Sequence, residues 1–355
     1  MGKDANVEAE RRSSNSGRAS LRDVASLAGV SLATASYALK PGRRGVGERN
    51  RQRVLAAAEQ LGYEAGPPGR RSKDRGVVAA VVPDPTNSFF SEALRALELT
   101  LREQGHRLVV ASSADDPAQE SAVVSFLASH VDGLVLAPSG PLGEDLRRLS
   151  TRLPTVVMDR DGDAPELSSV SMDNVDSARR ATRVLTESGY TKIAMVNGPL
   201  RVSTTRDRVR GYLSAIEEAG LAVREEHMCS GEFLFDTGRQ AVHALCNTDP
   251  RPDAIFSTSA ILTSGVLFAL REHGLRWPDE MAVVGFGDAV WASLVDPPVT
   301  VVEQPTTELG MTAARMIIAA MRRAGGVRHV VLASRLVLRD SHWKRARMSI
   351  QAGDR

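Results

Sequence analysis

The chain has 355 residues and a formal net charge of +2, with 42% hydrophobic and 25% charged side chains. This composition excludes a mostly disordered chain, and the length predicts more than one folded unit. No run of about 18 apolar residues predicts a membrane helix, and the first residues do not resemble a secretory signal. We therefore expect a cytoplasmic protein with no membrane partner.

The two cysteines, Cys229 and Cys246, have no CxxC spacing and no clustered histidines around them. In a reducing compartment such cysteines are expected to remain free thiols. We therefore expect no disulfide, no metal site and no cofactor.

Charge is unevenly distributed along the chain. Residues 1–75 contain 15 Lys and Arg against 8 Asp and Glu, whereas the remaining residues contain 30 against 35. A basic module releases counterions when it binds phosphates. Residues 1–75, the N-terminal head with a net charge of +7, are therefore predicted to bind a polyanion. A solvated basic tail is the alternative explanation of the same charge.

Two short helices separated by a glycine turn are predicted after an N-terminal tail, residues 1–19, which we expect to be disordered. In SLRDVASLAGVSLATASYAL, which begins at Ser20, apolar residues recur at the spacing of one helical face from Leu21 to Ala28. Gly29 ends this helix, and Ser31 is placed to cap a second helix two residues later. The spacing predicts a helix-turn-helix within a DNA-binding domain of residues 20–63. A helical hairpin in a metabolic enzyme is the alternative.

The second helix has a face that is predicted to enter the major groove of DNA. The candidates for reading bases on this face are Leu32, Ala33, Ser36 and Tyr37. For Tyr37 the alternative is a side chain that packs over the turn. A third helix, residues 50–61, closes the small core, and arginines near its start suit backbone phosphates. Its predicted core residues are Val54, Leu55, Ala58 and Leu61.

The remainder of the chain predicts a linker followed by an α/β domain. Residues 64–75 are rich in glycine, proline and arginine, which is typical of a linker. Beyond them, apolar runs such as VVAAVV, RLVVAS, GLVLA and TVVM alternate with helix-length segments, and KIAMV, AIFS and MAVVGF repeat the arrangement. Nearly all-apolar strands joined by helices imply parallel sheets covered on both faces.

We therefore predict a sensor domain over residues 76–340, built from two doubly wound lobes that resemble the periplasmic-binding-protein fold. The first lobe is expected at about 76–174 plus 305–325, and the second at about 175–303 plus 328–340. Strands should cross between the lobes near Asp173 and Gln304. A polar C-terminal tail is expected at 341–355, and it contains no leucine heptad that would assemble a tetramer.

Ligands of open parallel sheets bind beyond the carboxyl ends of the strands, so the loops there are predicted to form an effector site. The candidate effector-binding residues are Asn87, Phe89, Phe90, Asp159, Arg160, Arg206, Ser259 and Gln304. For each of them a surface loop position or a structural salt bridge is the alternative, and for Arg160 the alternative is pairing with a neighbouring acid.

The segments LRDVASLAGVSLATASYAL and RVLAAAEQLGY resemble the DNA-binding head of the LacI/GalR family of repressors. The resemblance continues through VVPDPTNSFF, VDGLVLAPS, MDRDGD, TTRDRVRGY, VVGFGD and TTELG. It implies a transcription regulator, expected to be a repressor, that binds double-stranded two-fold operator DNA as a homodimer. It further implies that a small-molecule effector, sugar-like or an organic acid, binds between the lobes.

The resemblance also assigns individual roles. It implies that Asp159 and Arg206 are polar anchors of the effector and that Phe89 stacks on it. In the head, the residues implied to contact phosphates are Ser31, Thr34 and Asn50, to which the local charge adds Arg49 and Arg51.

The chain departs from the family pattern in the head and the linker. Tyr37 stands where the family often has arginine, so the operator is expected to differ from the usual half-site. Ser72 stands where a hinge helix would insert a leucine into the minor groove, and the Pro67–Gly69 segment disfavours that helix. Arg70 and Arg71 are still expected to reach phosphates or the minor groove.

Two departures concern the effector site. Ser259 and Ala260 replace a usual Asn-Asp pair, and Gly287 replaces the first residue of a usual Asp-Asp pair. Loss of these carboxylates favours an acidic or partly apolar effector anchored by Arg206, or a degenerate sensor, over a neutral monosaccharide.

Two other function classes fit the sequence less well. No glycine-rich phosphate loop follows a strand, no GxSxG elbow occurs, and no His, Cys and Asp cluster has catalytic spacing, so no enzyme is expected. A secreted sugar-binding protein would account for the predicted α/β domain at 76–340 but would leave the helix-turn-helix head unexplained.

Overall fold

The computed structural model describes residues 21–39, 47–61 and 76–343. The chain divides into two compact units, residues 1–72 and 73–355. The predicted tail at 1–19, the predicted linker at 64–75 with Arg70 and Arg71, and most of the predicted tail at 341–355 lie outside the described residues.

The first unit contains three helices: α1 (Leu21–Ala28), α2 (Leu32–Ala38) and α3 (Glu48–Gln60). Gly29 has φ +61° in the turn after α1, a conformation that favours glycine. Ser31 caps α2, because its hydroxyl oxygen accepts a hydrogen bond from the Thr34 amide at 3.1 Å.

The core of this unit is made largely of small side chains, with Val24 and Ala35 fully buried. The prediction of Leu55 as a core residue is wrong, since its side chain is 48% exposed. The buried stripe of α3 is Val54, Ala57 and Ala58 at i, i+3 and i+4, and Leu55 lies about a quarter turn away from it.

The first lobe of the second unit is a six-stranded sheet in which every described strand pair is parallel. Its strands are β1 (Val77–Val82), β2 (Arg107–Ser112), β3 (Gly133–Leu136), β4 (Thr155–Met158), β5 (Ser168–Met172) and β11 (His329–Leu332). They lie in the order β11-β5-β4-β3-β1-β2. The covering helices are α4 (Ser88–Glu103), α5 (Pro117–Leu127), α6 (Glu144–Ser150) and α11 (Thr306–Met321). Apolar clusters fill both faces of the sheet, as a buried parallel sheet requires.

The second lobe repeats this architecture. Its strands are β6 (Ile193–Asn197), β7 (Met228–Ser230), β8 (Ala254–Ser257), β9 (Ala282–Phe286), β10 (Thr300–Glu303) and β12 (Arg335–Val337). They lie in the order β12-β10-β9-β8-β6-β7, and only β12 is antiparallel to its neighbour. The helices are α7 (Asn174–Glu187), α8 (Ser203–Glu218), α9 (Phe235–Leu245) and α10 (Ala260–Glu272), with short 3₁₀ turns at Glu225–His227, Val290–Ser293 and Asp340–His342.

The chain crosses between the lobes three times: after β5, after β10 and after β11. The prediction that residues 328–340 belong to the second lobe is wrong for its first part, because His329–Leu332 pairs with β5 in the first sheet. Leu332 is buried in the core of that lobe, which accounts for the strand's position. Only from Arg335 does the chain join the second sheet.

The predicted polar tail begins too early. Ser341 and His342 are buried in the second lobe, where the Ser341 hydroxyl donates to the Val283 carbonyl oxygen at 2.5 Å. Burial lowers the pKa of His342, which keeps the ring neutral near neutral pH. Across the described residues no helix is both long and apolar enough to cross a membrane. The same residues include no group of three or more His, Cys, Asp or Glu placed to hold a metal ion.

Candidate functional site

The predicted base-reading stripe lies on one face of α2. Leu32, Ala33 and Tyr37 are exposed there, with 47% of the Tyr37 side chain accessible, and Ser36 is half-buried. Ala35 and Ala38 occupy the opposite, buried face. The helix can therefore enter a major groove without loss of its own core contacts.

The predicted phosphate contacts flank this stripe. The Ser31 and Thr34 hydroxyls lie 2.8 Å apart at the start of α2. Arg49 is exposed at the start of α3, whereas Asn50 and Arg51 are half-buried. Arg53, one of the arginines near the start of α3 that were predicted to suit phosphates, extends its guanidinium over Gly29 in the turn.

A cavity of about 710 Å³ lies between the two lobes, at the carboxyl ends of their parallel strands. Such a volume is within the range of small-molecule sites. Seven of the eight predicted effector-binding residues lie on its wall: Asn87, Phe89, Phe90, Asp159, Arg160, Ser259 and Gln304. Asn87 and Ser259 also cap the helices that begin there, α4 and α10.

Arg206, the eighth candidate, is not part of the cavity wall. Its guanidinium donates to Asp163 at 2.8 Å and to the Arg201 carbonyl oxygen at 2.9 Å. The prediction that Arg206 is the main anchor therefore lacks structural support. The salt bridge that was its alternative is the arrangement observed.

Arg208, two residues later on α8, is the arginine that faces the cavity from this helix. Its side chain is almost fully buried and stacks on Phe286, 3.9 Å from the ring centre. Nε donates to Asn174 at 2.9 Å and Nη1 donates to the Thr258 carbonyl oxygen at 2.6 Å. Burial lowers the pKa of Arg208 to about 10, so the group remains charged at neutral pH.

The signal for Arg208 is present in the sequence as a helical face. Tyr212 and Ala215 are buried on α8, and Thr204 and Arg208 precede them at i, i+4 spacing, whereas Arg206 points elsewhere. Periodicity within TTRDRVRGY would therefore have selected Arg208.

Asp159, directly after β4 of the first lobe, supplies an acceptor to the cavity. Its carboxylate is buried, and Oδ1 has no hydrogen-bond partner among the described residues. Burial raises the pKa of Asp159, although the positive charges of Arg208 and Arg160 oppose that rise.

Arg160 lines the cavity and also pairs with an acid. Its position therefore agrees both with the predicted effector contact and with the alternative of a structural salt bridge. Nη1 donates to Asp115 Oδ1 at 2.5 Å and to the Pro138 carbonyl oxygen at 3.0 Å. Its guanidinium lies 6.0 Å from the ring centre of Phe90 and 5.6 Å from that of Phe233. The cleft therefore combines aromatic rings with fixed polar groups.

Residues 75–336 match the family model described as periplasmic binding proteins and sugar binding domain of LacI family. Residues 20–65 match the model described as bacterial regulatory proteins, lacI family. The chain belongs to the LacI family. The predicted family and fold class are thereby confirmed.

Relatives cover most of this LacI-family chain. It is 30% identical to the HTH-type transcriptional repressor CytR of Escherichia coli K12 over 323 residues, which are 90% of this chain and 93% of that protein. It is 33% identical to the ribose operon repressor of the same strain over 84% of this chain and 92% of that protein. A structure described as the transcriptional regulator CelR-cellobiose complex is 30% identical, with a TM-score of 0.69, over 91% of this chain and 100% of that chain. The chain is a DNA-binding transcription regulator and not an enzyme.

At the positions where this chain departs from the LacI-family pattern, the cavity wall is made of small side chains. A Cβ at Gly287 would lie 3.3 Å from Gln304 Oε1 and 3.4 Å from the Ala260 methyl group, so the three residues are neighbours. The adjacent Asp288 is engaged by Arg339 through both carboxylate oxygens, at 2.8 and 2.7 Å. The carboxylate beside Gly287 is therefore already paired.

The charges around the cleft count against the expectation of an acidic effector. Eight carboxylates and three guanidinium groups belong to the described residues of its wall. Two of the guanidinium groups are already paired, that of Arg160 with Asp115 and that of Arg201 with Glu232. A bound anion would therefore meet a surplus of negative charge.

Proposed function

We propose that this LacI-family regulator is a repressor whose affinity for operator DNA is set by a neutral, polyhydroxylated effector such as a sugar. The observation that carries the proposal is that a buried donor of the second lobe, Arg208, and a buried acceptor of the first lobe, Asp159, both line the interlobe cavity. A hydroxyl group both donates and accepts, so adjacent hydroxyls satisfy both partners.

The rest of the wall supports this class of ligand. Phe89 and Phe233 present apolar surfaces on which the C–H face of a sugar ring can lie. The volume of about 710 Å³ and the small side chains at Ala260 and Gly287 leave room for more than one ring. Two relatives bear names that point the same way, the ribose operon repressor and the CelR-cellobiose complex.

A binding screen tests the effector class. Neutral mono- and disaccharides, nucleosides, sugar phosphates and organic acids are added to the full chain, and hits from thermal shift are measured by calorimetry. A neutral polyhydroxylated compound is expected to bind, with its affinity reduced at least about tenfold in Asp159→Asn and Arg208→Lys because a charge-assisted hydrogen bond is weakened in each. Arg210→Ala is the matched control, since Arg210 is exposed on the same helix and pairs with Asp207. Tight binding of an acid that both variants retain would refute the proposal.

We also propose that the regulator binds a two-fold operator as a homodimer in the cytoplasm, where that DNA is found. One helix-turn-helix reads one half-site, so a two-fold operator needs two heads. Exposed apolar side chains on both lobes support self-association. Val109 and Val110 lie on the edge strand β2, and Phe268 and Leu294 lie on the outer surface of the second lobe. A second copy of the chain would cover these surfaces.

A further inference from the structure

An arginine of the second lobe reaches across the cleft to the first lobe. Arg201, in the loop between β6 and α8, donates from Nη2 to the carbonyl oxygen of Asp115 at 3.1 Å. The same guanidinium is held by Glu232 through two hydrogen bonds of 2.8 and 2.7 Å. Asp115 in turn accepts from Arg160, so a chain of charged groups runs from one lobe to the other.

Two further contacts join the lobes nearby. Arg206, on α8 of the second lobe, donates to Asp163 of the first lobe at 2.8 Å. The backbone amide of Asp161 donates to the Ser203 hydroxyl oxygen at 3.1 Å. We call the Arg201–Asp115, Ser203–Asp161 and Arg206–Asp163 contacts the mouth clasp.

The sheet topology places the Arg201–Asp115 contact away from the hinge. Asp115 follows β2, the edge strand of the first sheet, whereas the crossing strands β5 and β11 lie at the opposite edge. In the second lobe, Glu232 follows the edge strand β7, and the crossing strands β10 and β12 again lie at the opposite edge. The contact therefore spans the open side of the cleft.

The loops that form the clasp have an unusual backbone. Five non-glycine residues among those described have positive φ, and four of them lie in these loops. They are Ala114 (+52°), Asp115 (+56°), Asp159 (+70°) and Asp163 (+52°). Side chains other than glycine adopt this conformation only where surrounding contacts hold it. The clasp supplies such contacts to Asp115 and Asp163.

We propose that the mouth clasp holds the two lobes together, so that an effector is admitted only when the clasp opens. The Arg206–Asp163 contact of the clasp can open, because the two side chains are 38% and 48% exposed. Exposed ion pairs of this kind are weak and sensitive to salt. The inference rests on the proposed function only in assuming that the cleft admits a ligand. Whether the clasp holds the lobes closed can be tested without adding a ligand.

Hydrogen exchange of the ligand-free full chain, read by mass spectrometry, tests the clasp. The reporter is the peptide that contains the Asp161 amide, since this amide donates across the cleft. Arg206→Asp and Arg201→Ala are each expected to speed its exchange about two- to fivefold, the equilibrium effect of an exposed ion pair. The double variant Arg206→Asp with Asp163→Arg should restore the wild-type rate. A rise in salt should speed exchange in the wild type and have less effect in Arg201→Ala.

Controls separate clasp opening from loss of folding. Arg183→Ala removes an exposed ion pair with Glu187 inside α7 and should leave the reporter unchanged. Peptides from β1 report the lobe core and should exchange equally in all variants, and Asp163→Asn is measured beside the charge reversal as a milder change. Equal reporter rates in the wild type, Arg206→Asp, Arg201→Ala and Asp163→Asn would overturn the proposal, as would a double variant that exchanges as fast as the single one. Failure of every sugar to bind would count against the proposed function and leave this result standing.

Discussion

Tyr37 lies on the exposed face of α2, where its side chain is expected to contribute to the choice of sequence more than to general affinity. Its phenol ring and hydroxyl offer one hydrogen bond and an apolar surface to base edges. Tyr37→Ala is expected to cost about 1 to 3 kcal/mol on the cognate operator and much less on random DNA. Fluorescence anisotropy with a duplex selected from genomic DNA measures both affinities.

Arg51→Ala provides the contrast within the same unit. A phosphate contact contributes equally on all sequences, so this variant should weaken both complexes and reduce the salt slope of log K by about 1. If Tyr37→Ala lost the same affinity on both DNAs, the side chain would act on phosphate or on the fold instead.

Glu120 is a buried carboxylate beside the cleft that accepts a hydrogen bond from the Ser139 amide at 2.7 Å. Burial raises its pKa above the ordinary 4.5, so the folded protein retains this proton to higher pH than the unfolded chain does. The contribution of Glu120 to stability therefore falls as pH rises from the ordinary value through the higher folded value. Glu120→Gln removes this dependence.

Urea unfolding between about pH 4 and pH 8 checks the sign. The stability of Glu120→Gln relative to the wild type should increase with pH across that window and level off above it. A difference that is constant with pH, or that declines, would show that the carboxyl keeps an ordinary pKa.

Side-chain types and local spacing placed seven of the eight candidate residues correctly on the cavity wall, because loops after parallel strands converge whatever their detailed conformation. Residue type alone does not separate Arg206 from Arg208 on α8, whereas the helical face that Tyr212 and Ala215 define selects Arg208. Nor did side-chain types and local spacing predict that Glu120 would be buried against Ser139. Long-range neighbours decide such cases.

At the scale of elements, helix pairs cross where a glycine lets their backbones approach. A Cβ at Gly211 on α8 would lie 2.1 Å from the Val175 carbonyl oxygen on α7. Gly211→Ala should therefore force the helices apart and lower the free energy of unfolding by about 1 to 3 kcal/mol. Gly143→Ala is the control, because a Cβ there would meet nothing within 4 Å. Equal unfolding midpoints in urea for the two variants would contradict the packing described.

The strongly apolar strands were predictable from sequence, and β1, β2, β3 and β4 match the runs that predicted them. The shorter or more polar strands carry a weaker signal. The sequence SSVSM of β5 is apolar at only two of five positions, and β7 and β12 have three residues each. Their pairing is fixed by the sheet they extend and not by their own propensity. The assignment of His329–Leu332 to the wrong lobe has the same origin.

At the scale of the whole molecule, self-association should depend on the exposed apolar surface of the lobes. Leu294 is 76% exposed, and Val110 is 41% exposed on an edge strand. Leu294→Asp and Val110→Asp should each shift sedimentation toward the monomer, since a buried unpaired charge is costly at an interface. Val223→Asp, in an exposed position after α8, is the control. Dimers of unchanged affinity in both variants would exclude these surfaces as the interface.

The central claim is that occupancy of the interlobe cleft sets the affinity of the head for operator DNA. Anisotropy titration of the full chain on its selected operator, with and without the neutral compound identified by calorimetry, tests it most directly. The compound is expected to change operator affinity by about 5- to 150-fold in the wild type. Asp159→Asn should keep the ligand-free operator affinity and lose most of the change. An operator affinity that is the same with and without bound compound, or an undiminished change in Asp159→Asn, would contradict the claim.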